Sequence, residues 1–467
     1  MSVPVVVIGA GVGGLAAALR LAQSGFAVTV FEARPEAGGL ASGVSYEGFS
    51  FDAGPYILLD QPGLAWAFER LGLDLPSQLA LLPIDDIYEV ESADGTRVRF
   101  YSDLEKTTAG FEKQWPGSGT RYRNFVHKME RISRALRPML QVSHPSPLGL
   151  VRTGAWMHGP FLMRSLSAAL SESLLPPPVI EAMAIWTHVA GQTSNQAPSP
   201  LAFVPALMHS VGSYYPQGGI RRIPQVLEQA ARAAGVRFCY STKVARLHTK
   251  DGVVAGVTTC TGDFLPASAV ISNSAALQTY LHLLDSPPPS LTARLKKLPL
   301  QSPGVCAYLA IRGRIEPPYL AFKLPAPGER CRLLIRASIM DPQVHDGWSP
   351  ARLLAPMKYE DADRLGPAGQ AEYLDRLLEE DWWRKALEVR VLAKRTAQHW
   401  GDEYHLYANS MNPVMTARFM REGRVAHRSP YVRGLYLAGS STHPGQWVSF
   451  CAISGVLAAD CLIADVG

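Results

Sequence analysis

The hydrophobic pattern of the first forty residues changes period twice. Residues 3–8 form a continuous apolar run, β-branched except for Pro4, which predicts a strand buried on both faces. The run GAGVGG at residues 9–14 interrupts it. Residues 15–22 then read as a helix of small and apolar side chains, ended by Gly25. Residues 26–31 predict a second strand with Glu32 at its tip.

Further along, the pattern from about residue 64 to 215 is helical and less regular. Residues 120–140 read as a basic, solvated helix. Residues 148–170 are apolar apart from Arg152 and Arg164. Residues 182–220 contain no Asp, Glu, Lys or Arg, and the polar run at 191–196 breaks any membrane-spanning helix there. Strands are predicted at 236–240, 253–259 and 269–271. Two more, at 304–312 and 332–339, belong to a second sheet. A helix is expected over 369–386, a strand over 435–438 and a final helix over 448–463. There is no internal repeat.

Composition sharpens this picture in three ways. With 467 residues the chain suits two or three domains. Charged residues are 18%, against roughly 25% in typical soluble domains, which implies a large interior or apolar surface facing something other than water. The 45 basic and 40 acidic residues leave a net charge of +5 without any long like-charged run, which argues against a nucleic-acid partner. The six cysteines form no C-x-x-C pair and read as reduced thiols of a cytosolic protein. The N-terminal apolar stretch has no basic lead-in and is not expected to be a signal peptide. No uninterrupted apolar run is long enough to span a bilayer. No His or Cys cluster suggests a metal, and no G-x-S-x-G suggests a hydrolase.

The chemistry lies in the glycines. In G-x-G-x-x-G, Gly9 allows the tight turn, Gly11 admits a pyrophosphate to the backbone, and Gly14 lets helix and strand pack closely. The helix N-terminus offers free N–H groups to phosphate. Glu32, at the tip of the second strand, can hold ribose hydroxyls and disfavours a 2′-phosphate, so NADP is not expected. Glu32, Ala33 and Arg34 lead to a second double glycine, Gly38-Gly39, followed by Leu40. An NAD enzyme has no use for a second phosphate-hugging turn; a longer cofactor, FAD, does.

These residues, with G-F-S-F-D-A-G-P at 48–55, Y-P-Q-G-G at 215–219 and G-L-Y-L-A-G-S-S-T-H-P-G at 434–445, resemble the FAD-dependent phytoene desaturase family, which shares its fold with flavin amine oxidases. The resemblance implies an α/β fold. It divides the chain into a discontinuous Rossmann-like FAD domain (residues 1–63, 216–285 and 396–467) and an interleaved α+β substrate domain (64–215 and 286–395, mostly helical over 120–215). It implies that Gly38 and Gly39 touch the diphosphate and that Gly54, Pro55 and Tyr56 flank the flavin ring. Val244 would meet the adenine, Gly439 and Ser440 the ribityl and phosphates, and Val448 and Ser449 the pyrimidine edge. The chain departs from the family at Leu40, where an arginine is usual; Arg34 is a possible substitute. The bulky run Gln446-Trp447-Val448 reshapes the pocket beside the flavin.

The activity implied is desaturation of a long apolar polyene, a carotenoid, by hydride transfer to the flavin. The uncharged segment 182–220 is a candidate tunnel wall or an ordinary core segment. Trp186, Tyr214, Tyr215 and Trp447 are candidate stacking partners. His443 and His188 are the catalytic candidates, each more simply a satisfied structural histidine; the same holds for His209, and Glu181 is expected on the surface. Residues 148–170 suggest peripheral contact with the inner face of a membrane, with Arg152 and Arg164 reaching phosphates. Three alternatives remain open: a carotene isomerase or saturase, a flavin amine oxidase, and a non-enzymatic lipid- or prenyl-binding protein of the same fold.

Overall fold

The computed structural model describes residues 4–326, 329–343, 345–384, 388–422 and 424–466. Val3, and Lys385 and Ala386 at the end of the helix expected over 369–386, lie outside the described residues.

The apolar run does become a strand, Pro4–Ile8, with Val5 to Ile8 buried on both faces. It is the centre of a five-stranded parallel sheet. The spatial order is Leu435–Leu437, Ala269–Ser272, Pro4–Ile8, Ala27–Phe31 and Arg237–Cys239. Three distant stretches of chain thus build one sheet. The helix Val12–Gln23 follows the first strand and packs against the last helix, Val448–Val466, more extensively than any other two elements pack. That closeness needs glycine. A Cβ on Gly455 would sit 2.1 Å from the Gly13 carbonyl oxygen. The last helix is also long and apolar enough to cross a membrane, but it is a core element here, buried along most of its length.

A second sheet has seven strands, in the order Val389–Arg395, Val305–Arg312, Trp348–Ala355, Arg332–Ile335, Leu320–Lys323, Asp86–Glu91 and Arg97–Tyr101. Side chains alternate across it, as the pleat requires. Val305, Ala307, Leu309, Ala351 and Leu353 pack under the helix Tyr359–Leu378. Cys306, Tyr308 and Leu354 face the other way, toward Phe51, Ala53 and Trp400. A three-stranded antiparallel sheet, Val244–Lys250, Val253–Thr259 and Phe264–Pro266, caps the first sheet.

The structure corrects several sequence expectations. The segment expected to be helical from residue 64 contains strands at Leu81–Pro83, Asp86–Glu91 and Arg97–Tyr101; their apolar residues alternate over too few positions to stand out from neighbouring helices. The basic helix Ser118–Leu136 is solvated on one face only, because Tyr122, Phe125, Val126, Met129 and Ile132 are buried. The strand expected over 332–339 turns into a 3₁₀ turn at Ala337. The stretch 148–170 is four short pieces, Pro147–Arg152, Ala155–His158, Gly159–Leu162 and Leu166–Ser171. Gly154, at φ +72°, separates the first two. The helix Gln61–Arg70 crosses the expected domain boundary at 63 and packs Leu64 and Phe68 in the same core as the last helix. Likewise Leu291 and Leu295, beyond the boundary at 285, pack with Val244 and Leu247 on the first sheet's side.

Candidate functional site

A cavity of about 460 Å³ runs between the two sheets. One end begins at the glycine loop. Gly9 makes its turn at φ +93°, and Gly11 is the N-cap of the helix Val12–Gln23, with no side-chain cap and no acid in the first turn. The helix N–H groups therefore open onto the cavity without a competing acid in the helix's own first turn. Gly14 does not line the cavity. A Cβ there would fall 2.0 Å from the Gly9 carbonyl oxygen, so it serves the close strand–helix contact. Glu32 is 8% exposed; its Oε2 accepts the Ala10 N–H at 2.7 Å and its Oε1 the Arg34 N–H at 2.9 Å. The carboxylate is thus locked beside the glycine loop with its remaining lone pairs toward the cavity.

Sixteen of the seventeen residues assigned to the cofactor line this one cavity: Gly9, Gly11, Glu32, Ala33, Arg34, Gly38, Gly39, Leu40, Gly54, Pro55, Tyr56, Val244, Gly439, Ser440, Val448 and Ser449. They come from both ends of the chain and from its middle. The Arg34 guanidinium stacks 4.4 Å from the Tyr404 ring centroid and donates to Ser42 Oγ at 3.0 Å. Leu40 lies against Gly54, where a Cβ would meet the Leu40 carbonyl oxygen at 2.6 Å. Lys243 and His405 stand at the same end. Burial, and then the charges of Lys243 and Arg34, hold the His405 pKa below the usual histidine value. Arg34, which also pairs with Glu36 at 3.2 Å and Glu403 at 3.4 Å, and Lys243 bring two cations to this end, which suits a diphosphate.

Five buried polar atoms in the lining residues, Trp186 Nε1, Asn273 Oδ1, Gln301 Oε1, Trp400 Nε1 and Ser449 Oγ, have no hydrogen-bond partner among the described residues. Such atoms cost free energy unless something satisfies them. A flavin, with its ring N–H and ribityl hydroxyls, would offer partners to such atoms. The last helix also points its N-terminus at the cavity at Val448 and Ser449, which suits a pyrimidine edge that becomes negative on reduction.

The other end of the cavity is apolar. Ile57, Leu58 and Leu59 form one side, and the uncharged segment 182–220 supplies Trp186, Val189, Ala190, Leu201 and Val204. Of the four aromatic candidates, Trp186 and Trp447 line the cavity, whereas Tyr214 and Tyr215 do not. Tyr215 instead donates to Asp52 at 2.9 Å.

Neither catalytic histidine candidate lines the cavity. His443 Nε2 donates to the Met139 carbonyl at 2.8 Å, and His188 Nδ1 accepts the Cys331 N–H at 3.0 Å. His209 is likewise engaged, by Tyr122 at 2.9 Å and the Ser102 carbonyl at 3.0 Å. Glu181 is exposed. Burial depresses His443 to about 3, and His188 and His427 to about 4. All three stay neutral in the folded protein while the unfolded chain protonates near 6.5. Below 6.5 the unfolded state binds more protons, so stability is full above that pH and falls as pH drops toward 4. Each group contributes up to about 1.4 kcal/mol per pH unit in that window. Melting temperature is expected to drop between pH 6.5 and 4.5; a flat profile there would contradict these assignments.

Sequence reasoning missed Arg352, Cys306 and the 400–406 segment, which also line the cavity. Arg352 donates to the carbonyls of Asp52, Ala53 and Gly54, the last at 2.7 Å. Burial pushes the Cys306 thiol up to about 11. Strand alternation over 348–355 would have flagged Arg352 as a charge inside a buried strand, had that strand been recognised.

The model of the flavin containing amine oxidoreductase family matches residues 12–312. The protein is 28% identical to a zeta-carotene-forming phytoene desaturase of Myxococcus xanthus, over 98% of this chain and 93% of that one. It is 26% identical to a 4,4'-diapolycopene oxygenase of Methylomonas sp, over 99% and 98% of the two chains. In fold it resembles an oxidoreductase from Methanosarcina mazei, with a TM-score of 0.68 at 18% identity over 99% of this chain and 100% of that one. With the glycine loop, the orphaned polar atoms and the helix N-termini converging on one cavity, these likenesses show that the chain belongs to the flavin containing amine oxidoreductase family and is a flavin-dependent oxidoreductase.

Proposed function

We propose that the protein uses FAD to desaturate a long apolar polyene, a carotenoid. The observation that carries this is the cavity's division into a charged dinucleotide end and an apolar end. Glu32, Arg34, Lys243 and Arg352 are the ionised side chains of the lining, and the wall formed by residues 57–59 and 186–204 has none. A polyene satisfies such a wall, whereas an ammonium substrate would be left unpaired in it. The names of the full-length relatives support the same substrate class.

Bound FAD supplies a hydride acceptor. The protein's part is to grip the diphosphate at the Gly9 and Gly38 turns, to hold the ring between residues 54–56 and the last helix, and to keep water from the apolar end. Trp186 and Trp447 present flat apolar faces for a conjugated chain. His443 and His188, held by backbone groups, are not proposed for proton transfer.

The substrate reaches this cavity from a bilayer in the same reading, with the protein on the cytoplasmic face. Leu148, Val151, Trp156, Met157 and Met163 are each more than half exposed on adjacent short helices and the turn that follows them, an unusual concentration of apolar surface. Phe161, in the same stretch, stacks on Phe203 at 5.3 Å, between the cavity-lining Leu201 and Val204. Phe161 thus joins the stretch that carries the patch to the segment that walls the cavity. Arg152 is exposed beside it, but Arg164 is held by Glu172 and by the Ala168 carbonyl at 3.1 Å. Only Arg152 is therefore proposed to meet lipid phosphate.

Purified protein is expected to be yellow, with a flavin band. In cells supplied with phytoene or lycopene it is expected to produce a chromophore of longer wavelength. A colourless protein that cannot take up FAD would refute the cofactor. A changed cis/trans pattern without lengthening would support the isomerase instead. Trp156→Glu with Met157→Glu is expected to abolish binding to anionic phospholipid vesicles while leaving the flavin spectrum intact.

A further inference from the structure

Three arginines of the seven-stranded sheet are buried: Arg332, Arg352 and Arg395. Two are paired with carboxylates. Arg332 meets Glu329 at 3.0 Å and Glu380 at 3.2 Å, and Arg395 meets Glu403 at 2.6 Å. Arg352, 5% exposed, has no ion pair among the described residues. Asp52 lies close by. Its carboxylate oxygens are taken by the Tyr215 hydroxyl at 2.9 Å and the Ile220 N–H at 2.8 Å, and its charge is weakened by burial.

Three carbonyls, of Asp52, Ala53 and Gly54, occupy three of the five Arg352 N–H groups. The remaining two have no acceptor among the described residues. The guanidinium lines the cavity, and its Cζ is 5.5 Å from the ring centroid of Tyr56. Strand alternation turns Ala351 and Leu353 into the opposite core, so Arg352 is aimed into the cavity by the register of its strand. A buried cation is costly unless an anion or strong dipoles face it. The carbonyl clamp supplies dipoles, and the neighbouring Asp52, which makes no ion pair with Arg352 and whose carboxyl pKa is pushed up by burial, offsets the charge only in part.

We infer that Arg352 is the cationic partner of the reduced cofactor: its charge, clamped beside residues 54–56, raises the reduction potential of the bound flavin. The inference rests on the reading of this cavity as the flavin site and not on the identity of the substrate. Reduction adds negative charge to the ring, and a fixed positive charge in a dry wall favours the reduced form over the oxidised one. It matters to a hydride acceptor because a higher potential makes removal of hydride from an unactivated carbon chain more favourable.

The test is the midpoint potential of the flavin-loaded protein, measured by dye-coupled reductive titration without any polyene. Arg352→Met removes the charge at similar volume. Its potential is expected to fall by at least about 30 mV, the change that a tenfold loss of preference for the reduced form gives in a two-electron couple. Arg352→Lys keeps the charge but cannot span three carbonyls. It is expected to melt at a lower temperature while holding a potential close to the parent's. An unchanged potential in Arg352→Met would overturn the inference. Should that variant fail to retain flavin, Arg352→Lys decides: a potential that falls along with its stability would show a purely structural clamp. Failure of the flavin reading itself would appear earlier and differently, as a parent protein that takes up no flavin at all.

Discussion

Gly455→Ala is expected to destabilise the protein by about 3 kcal/mol and to release its flavin. Alanine is the better helix former by about 1 kcal/mol, so propensity alone predicts the opposite sign. Packing decides otherwise. The added Cβ would stand 2.1 Å from the Gly13 carbonyl oxygen, 2.8 Å from the Ala16 Cβ and 3.0 Å from the Ala17 nitrogen. These are backbone or helix-bound atoms, so no flexible side chain can yield. The helices Val12–Gln23 and Val448–Val466 must separate, which costs overpacking strain of roughly 1–3 kcal/mol or more and shifts the glycine loop. Gly110→Ala is the control. It lies exposed inside the helix Leu104–Gln114, with nothing within 4 Å of the new Cβ, and is expected to gain up to about 1 kcal/mol. Thermal melts and flavin retention through gel filtration read both. A Gly455→Ala protein as stable as the parent would show that the two helices are not docked this closely.

Glu32→Gln is expected to weaken FAD binding roughly 100-fold, nearly as much as Glu32→Ala. The usual view makes glutamine the mild change. Here both carboxylate oxygens accept backbone N–H groups, from Ala10 and Arg34. An amide can accept only one of them and turns its NH₂ toward the other donor. A buried N–H left unmet costs about 1–3 kcal/mol, and hydrogen bonds from the carboxylate to ribose are worth about 1.5–3 kcal/mol; each 1.4 kcal/mol is tenfold in affinity. The loss falls on the glycine loop itself, because Ala10 lies between Gly9 and Gly11. Quenching of flavin fluorescence on titration into apoprotein measures it. Parent-like affinity for Glu32→Gln would mean that Glu32 faces neither the loop nor the ribose as described.

Much of the dinucleotide end was legible in the sequence because its constraints are local. A turn at φ +93° needs glycine at residue 9, a helix beginning on a strand needs glycine at 14, and both positions lie within a few residues of the elements they serve. The apolar runs on either side announce their strands unaided. The histidine candidates were less readable. His443 and His188 look chemical in a linear chain, and only their bonds to Met139 and Cys331, 304 and 143 residues away, reveal them as structural.

What the sequence by itself determined, then, is the strand–loop–helix–strand unit with Glu32, the double glycine at 38–39, and the absence of charge over 182–220. Each is a property of composition and short-range spacing. The tertiary structure alone decided that this uncharged stretch walls the same cavity as the glycine loop, and that 148–170 breaks into short helices with an exposed apolar face. It alone brought Gly455 onto Gly13 across 442 residues of chain and Arg352 onto the carbonyls of 52–54 across about 300. The reason is physical: a Cβ clash or an unpaired guanidinium has meaning only against its neighbours, and those neighbours are set by how two sheets and a terminal helix pack, which no local pattern encodes.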